Sequence, residues 1–206
     1  SLMEEYGRLT FPNARTASPL IDKDLVITRG ITSAWGAHGP AGDRFYAFDK
    51  KTGELVWSSA PGDRPQDNTF SHPWLDFWNG KRVLYSAGGD CSLVAINART
   101  GEPVWRFKLS HGGLNADMLF PAPGQLIAIH GKENLDASSQ GRLVAIKIPT
   151  EYPTGPKPVI LGKEAGAFPA PNSDGASGGM AGICHSPSVD VWHIGRAAPS
   201  RQRSVV

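Results

Sequence analysis

The apolar positions of this chain fall into short runs separated by turn-forming residues, with no long stripe at helical spacing before about residue 165. Phe45-Tyr46-Ala47-Phe48 is apolar at successive positions, and so are Leu93-Val94-Ala95-Ile96 and Leu143-Val144-Ala145-Ile146. An antiparallel strand with one wet face alternates apolar and polar residues, so strands without alternation are buried on both faces. Upstream of each run stand two further strand candidates joined by a tight turn. These are Ala17–Ile21 and Leu25–Thr28 about Asp22-Lys23-Asp24, then Pro73–Phe77 and Arg82–Ser86 about Asn79-Gly80. In the third unit they are Asp117–Phe120 and Gln125–His130 about Pro123-Gly124.

The turn after each run explains the repeat. Asp49-Lys50-Lys51-Thr52-Gly53 and Asn97-Ala98-Arg99-Thr100-Gly101 both place an Asx residue where its side chain accepts bonds from the N–H groups ahead. Each also places a glycine where the backbone needs a left-handed residue. A strand ending on Trp57 or Trp105 follows. Gly53 recurs as Gly101 after 48 residues, and Leu93 recurs as Leu143 after 50. A period of that size marks a repeat architecture. Four strands in about 50 residues, buried on both faces, make one blade of a β-propeller. The third unit then decays, since Pro153 separates Thr150 from Gly155 and no tryptophan follows.

The pattern Ala-x-[Asp/Asn]-x-x-Thr-Gly-x-x-x-Trp, at Ala47–Trp57 and Ala95–Trp105, resembles the pyrroloquinoline-quinone-type propeller repeat. The resemblance covers roughly residues 17–148. It implies an all-β fold of four-stranded antiparallel blades, about three here, and a ring of about eight in a longer protein. It also implies that Thr52, Gly53, Trp57, Thr100, Gly101 and Trp105 dock blade on blade. The expected organisation is 1–16 as the end of a preceding blade or an N-terminal extension, then repeats over 17–64, 65–112 and 113–166. The glycine- and serine-rich stretch 167–206 reads as an irregular tail that need not be native sequence. An open stack of blades exposes its end faces, which predicts self-association. The WD signature is absent, and the diglycine Gly88-Gly89 is not repeated in the other units.

Composition narrows the function. A net charge of +2 is too small to point to nucleic acid or an anionic membrane. No apolar run is long enough for a membrane helix, and no signal-peptide pattern opens the chain at Ser1-Leu2-Met3-Glu4-Glu5. Cys91 and Cys184 form neither a disulfide framework nor a metal spacing.

Strand alternation places the long segments 30–43, 58–72, 110–116 and 131–142 on the face opposite the Thr-Gly turns, and loops on a rigid scaffold carry function. Arg29, Trp35, His38, His130, Lys132, Glu133 and Asn134 are the candidate ligand-face residues. Glu133 and Asn134 are hard oxygen donors of the kind Ca²⁺ takes. Lys132 can stabilise an anion.

Three functions follow from the resemblance. One is a non-catalytic binding or scaffold module with a protein or polymer partner. Another is part of a quinoprotein alcohol dehydrogenase with quinone and Ca²⁺ in the channel and an aspartate as base. The third is an inactive fragment. The family's dehydrogenases commonly carry an adjacent cysteine pair, whereas Cys91 stands alone. No metal site and no catalytic residue is therefore assigned, and a periplasmic or secreted location comes from the resemblance.

Overall fold

A computed structural model describes residues 18–32, 42–65, 69–109, 114–130, 142–148, 159–163, 183–186 and 189–196. Among them every regular element is a strand. The first blade is β1 (Leu20–Asp22), β2 (Leu25–Thr32), β3 (Gly42–Asp49) and β4 (Leu55–Ser59), hydrogen-bonded in chain order. The second is β5 (Trp74–Trp78), β6 (Lys81–Ala87), β7 (Ser92–Asn97) and β8 (Pro103–Lys108), again in chain order and antiparallel. The third is built on β9 (Gln125–His130) and β10 (Arg142–Lys147), with Leu119 bridging Ile127 in the first-strand position. The chain is thus an all-β stack of propeller blades.

The blades repeat in detail. In both complete blades the third and fourth strands slip register at the same place, Ala47/Phe48 in one and Ala95/Ile96 in the other. Each turn after the third strand is pinned to the first hairpin of its own blade by one backbone bond. These bonds are Lys50 N–H to Asp24 O (2.8 Å), Ala98 N–H to Arg82 O (2.9 Å) and Ile148 N–H to Gly124 O (2.8 Å).

The unbroken apolar runs have the cause the pattern implied. Val94 and Ile96 of β7 pack against Leu25, Ile27, Phe45, Ala47 and Trp57 of the first blade. Leu93 and Ala95, on the opposite face of the same strand, pack with Leu126, Ala128, Val144 and Ile146 of the third. The middle blade is therefore a layer buried on both sides, and the two cores lie between blades rather than within one.

Two features of the last part of the chain differ from a simple third repeat. β11 (Val159–Lys163) does not extend the third blade but runs parallel to β8 on the outer edge of the second. β12 (Ile183–Ser186) and β13 (Val189–Arg196) stand within the stretch read as an irregular tail, and β13 pairs antiparallel with β10 in the fourth-strand position. The sequence Val189-Asp190-Val191-Trp192-His193-Ile194 has strand-forming residues enough for that role. Residues 1–17, where the end of a preceding blade was expected, lie outside the described residues.

Candidate functional site

The two complete Thr-Gly turns share one hydrogen-bond pattern. Asp49 Oδ1 accepts from the N–H of Lys51 (2.8 Å) and Thr52 (2.9 Å), and these bonds, Thr52 foremost, hold its carboxyl below the ordinary value. Asn97 Oδ1 accepts from Arg99 N–H at 2.9 Å. Thr52 Oγ1 accepts from Glu54 N–H and Thr100 Oγ1 from Glu102 N–H, at 3.2 and 3.3 Å. Gly53 and Gly101 both take left-handed backbone, at φ 75° and 76°.

The turns differ in what rests on them. Trp57 lies against Gly101 so closely that a Cβ there would stand 2.8 Å from Cδ2 and Cε3 of the indole. Its Nε1 donates to Ala98 O at 3.2 Å across the blade boundary. The indole is thus held by the turn of the following blade, in plane by contact and at its edge by a hydrogen bond. Among the described residues nothing lies within 4 Å of a Cβ built on Gly53. Trp105 is buried against Tyr85, with ring centroids 5.9 Å apart, and its Nε1 meets no acceptor among the described residues. In the third unit the positions matching Asn97 and Gly101 are Lys147 and Glu151, so the polar turn that would receive it is missing from the sequence.

On the same side an ion cluster joins the first blade to the second. Arg82 Nε donates to buried Asp22 at 3.0 Å, and Arg99 reaches both Asp22 O (3.2 Å) and Asp24 Oδ1 (2.7 Å). The bond from Arg99 holds the Asp24 carboxyl below its ordinary value.

The opposite face carried the candidate ligand residues. Arg29 is buried there, and its guanidinium forks onto Asp43, with Nε to Oδ1 at 2.8 Å and NH2 to Oδ2 at 2.5 Å. Asp43 Oδ2 also accepts from Gly89 N–H of the next blade at 2.8 Å. Arg29 stacks over the Phe45 ring at 5.1 Å from its centroid. The arginine is consumed in an inter-blade lock, which sequence reasoning did not assign to it. The turn Gly88-Gly89-Asp90-Cys91 makes a second lock. Asp90 accepts from Ser92 N–H (3.2 Å), Ser92 Oγ (3.0 Å) and Asp63 N–H (3.0 Å). Asp63 pairs with Arg106 at 2.7 Å, and that bond lowers its pKa. The diglycine was a visible signal; the partners Asp43 and Asp63 were not, because they come from the first blade and the segment that follows it.

His130 is buried at the end of β9, in register with Arg142. Trp35, His38, Lys132, Glu133 and Asn134 lie outside the described residues. Among the described residues no three His, Cys, Asp or Glu side chains gather as a metal site. The described residues also do not make a seat for an anionic quinone. Trp74 offers a half-exposed indole face stacked on Phe120, but Arg29 is already neutralised by Asp43, and Cys91 is buried between Asp90 and Ser92 with no neighbouring cysteine.

Three comparisons bear on this arrangement. The family described as "Outer membrane protein assembly factor BamB" matches residues 5–158. The chain is similar to a quinoprotein glucose dehydrogenase of Gluconobacter oxydans, with 28% identity over 84% of this chain and 24% of that protein. It is also similar to a quinoprotein ethanol dehydrogenase of Pseudomonas aeruginosa, with 30% identity over 50% of this chain and 18% of that one. A europium-containing methanol dehydrogenase is a structural neighbour at TM-score 0.40 and 16% identity, covering 68% of this chain and 25% of its own. The chain therefore spans a quarter or less of the length of these relatives.

Proposed function

The chain belongs to the family of the outer membrane protein assembly factor BamB, a family of pyrroloquinoline-quinone-like propeller repeats, and on that footing we propose that it is a non-catalytic binding module of a larger periplasmic propeller. The observation that carries this reading is the exposed apolar side chains of the first strands. Trp74 and Phe77 on β5 of the middle blade are 50% and 62% exposed, whereas Ile21 and Leu119, at 60% and 56%, lie on the open outer faces of the first and third blades, next in sequence to Leu20 and Met118, which pack inward. First strands border the central channel of a propeller. Large apolar side chains left open on the first strand of a blade that is covered on both sides mark a surface that meets another molecule. The described polar groups Arg29, Asp43, Asp63 and Asp90 of the loop face, by contrast, are spent on holding blades together. Proteins delivered to the outer membrane, or the machinery that inserts them, are the partners the family's description supports.

Site-specific photo-cross-linking in the periplasm tests this. A benzophenone side chain at position 74 or 77 yields discrete protein adducts, and one at exposed Lys81 does not. Equal labelling from all three positions refutes the reading.

A quinone-dependent dehydrogenase is the second reading, favoured by the identity to the Gluconobacter enzyme over 84% of this chain. It needs ligand groups from Trp35, His38, Lys132, Glu133 and Asn134, or from other blades. Dye-linked oxidation of glucose or ethanol after addition of pyrroloquinoline quinone and Ca²⁺ would establish it and displace the first. No helix among the described residues is long and apolar enough to cross a membrane.

A further inference from the structure

The second blade carries a fifth strand that the repeat does not require. β11 lies along the outer edge of β8 in parallel, pairing Val159 with Trp105, Ile160 with Arg106 and Lys163 with Lys108. β4 is the counterpart of β8 in the first blade, since both follow a Thr-Gly turn and both slip register at the same step. Among the described residues no strand pairs with the outer edge of β4.

The two edges differ in sequence in an informative direction. Exposed edges are ordinarily guarded against added strands by proline and by charge, lysine above all. β8 reads Pro-Val-Trp-Arg-Phe-Lys and has all these guards, yet it is covered. β4 reads Leu-Val-Trp-Ser-Ser, with neither charge nor proline, and it is open. Leu55 and Val56 on that strand are 41% and 51% exposed.

We propose that the outer edge of β4 receives an extended segment of a partner protein as a fifth, parallel strand, in the manner in which β8 receives Val159–Lys163. The proposal rests on the reading of the chain as a binding module and names the chemistry of one partner. Main-chain bonds to a sheet edge supply affinity in such pairing, and alternate side chains supply selectivity. The fitting segment is β-branched or aliphatic, free of proline along the paired stretch, and neutral to basic. Its side chains would meet Leu55 and Val56, and the Glu54 carboxylate immediately before the strand disfavours an acidic one.

The probe is a fluorescein-labelled peptide Lys-Pro-Val-Ile-Leu-Gly-Lys, the sequence of residues 157–163, added to the intact chain. The expected result is saturable anisotropy, with slowed amide exchange at residues 55–59 and unchanged exchange at 103–108. Leu55→Lys combined with Val56→Lys, both at exposed positions, should weaken binding by about tenfold or more through charge and lost apolar contact, with an unchanged melting temperature.

Protection confined to 103–108 would show exchange with β11 and overturn the proposal. So would undiminished binding by the double variant, or absence of saturable binding. Protection of 55–59 that rises with protein concentration without peptide would assign the edge to a second copy and equally overturn it. Cross-linking from positions 74 and 77 is read independently, so loss of peptide binding leaves the binding-module reading intact.

Discussion

Gly53 and Gly101 allow the contact between a tryptophan and a turn to be measured free of backbone effects. Both glycines sit in the same turn, each donating its N–H to the residue four before it at 2.8 Å, and both have φ near 75°. Alanine in left-handed backbone costs about 1–2 kcal/mol, and that cost is common to the two sites. At Gly53 the new methyl enters open space. At Gly101 it would stand 2.8 Å from two carbons of the Trp57 indole, inside van der Waals distance. The indole is fixed at its edge by the 3.2 Å bond to Ala98 O and cannot move away without stretching it. Overpacking of this kind costs about 1–3 kcal/mol, and the hydrogen bond is worth about 1 kcal/mol net. Gly101→Ala should therefore destabilise by about 2–4 kcal/mol more than Gly53→Ala.

Urea unfolding followed by tryptophan fluorescence reads the difference as a gap in midpoints at constant slope. The same pair repeated in a Trp57→Leu background closes a cycle in which the gap should nearly vanish. Equal destabilisation by the two alanines, or a gap that persists without the indole, would refute the claim that Gly101 serves Trp57.

Other substitutions test the remaining contacts. Trp57→Phe should lose about 1 kcal/mol more than its apolar volume accounts for, because Ala98 O loses its donor, whereas Trp105→Phe removes an Nε1 that has no acceptor among the described residues and should show no such excess in unfolding midpoints. Arg29→Met leaves the buried Asp43 carboxylate with Gly89 N–H as its one remaining partner among the described residues and should cost about 3–5 kcal/mol. Adding Asp43→Leu should recover part of that loss in the same unfolding assay; no recovery would deny the pairing. Asp63 has its folded pKa depressed by the bond from Arg106, so its stabilisation is present above the ordinary 3.8 and disappears as pH falls through the folded value. Arg106→Gln should accordingly lower the unfolding midpoint at pH 7, and the gap to the parent chain should close as pH falls through the folded value of Asp63. Parallel pH curves would contradict this.

The sequence carried the fold because its signals were local. Strand, turn and glycine are adjacent in Phe48–Gly53 and in Ile96–Gly101, and burial on both faces is written in Leu93–Ile96 without reference to any other segment. The role of Arg29 was not legible, because its partners are Asp43 on the next strand and, through that carboxylate, Gly89 in the next blade. An arginine at a strand end before a long loop reads as a ligand group until the fold places a carboxylate beside it. β11 and β13 were hidden for a related reason. Each pairs with a strand far back in the chain, β8 and β10 respectively, and nothing in Val159–Lys163 or Val189–Arg196 names that partner.

The inter-blade contacts also explain why the third unit behaves differently from the first two. A blade that receives a tryptophan needs an Asx residue to shape the turn, a glycine to leave room for the indole, and a backbone carbonyl to accept its N–H. The second blade has all three in Asn97, Gly101 and Ala98 O. The third has Lys147 and Glu151 at the first two positions, and among the described residues the indole of Trp105 is held by burial against Tyr85 and the aliphatic layer of Leu126, Val144 and Ile146. The third blade draws its fourth strand from β13, more than 40 residues beyond β10. Replacing Lys147-Ile148-Pro149-Thr150-Glu151 by Asn-Ala-Arg-Thr-Gly should restore an acceptor for Trp105 Nε1. The expected gain is about 1 kcal/mol from the hydrogen bond, read as a raised unfolding midpoint that a Trp105→Phe background abolishes. A gain that survives without the indole N–H would mean that the turn stabilises its own hairpin and not the blade behind it.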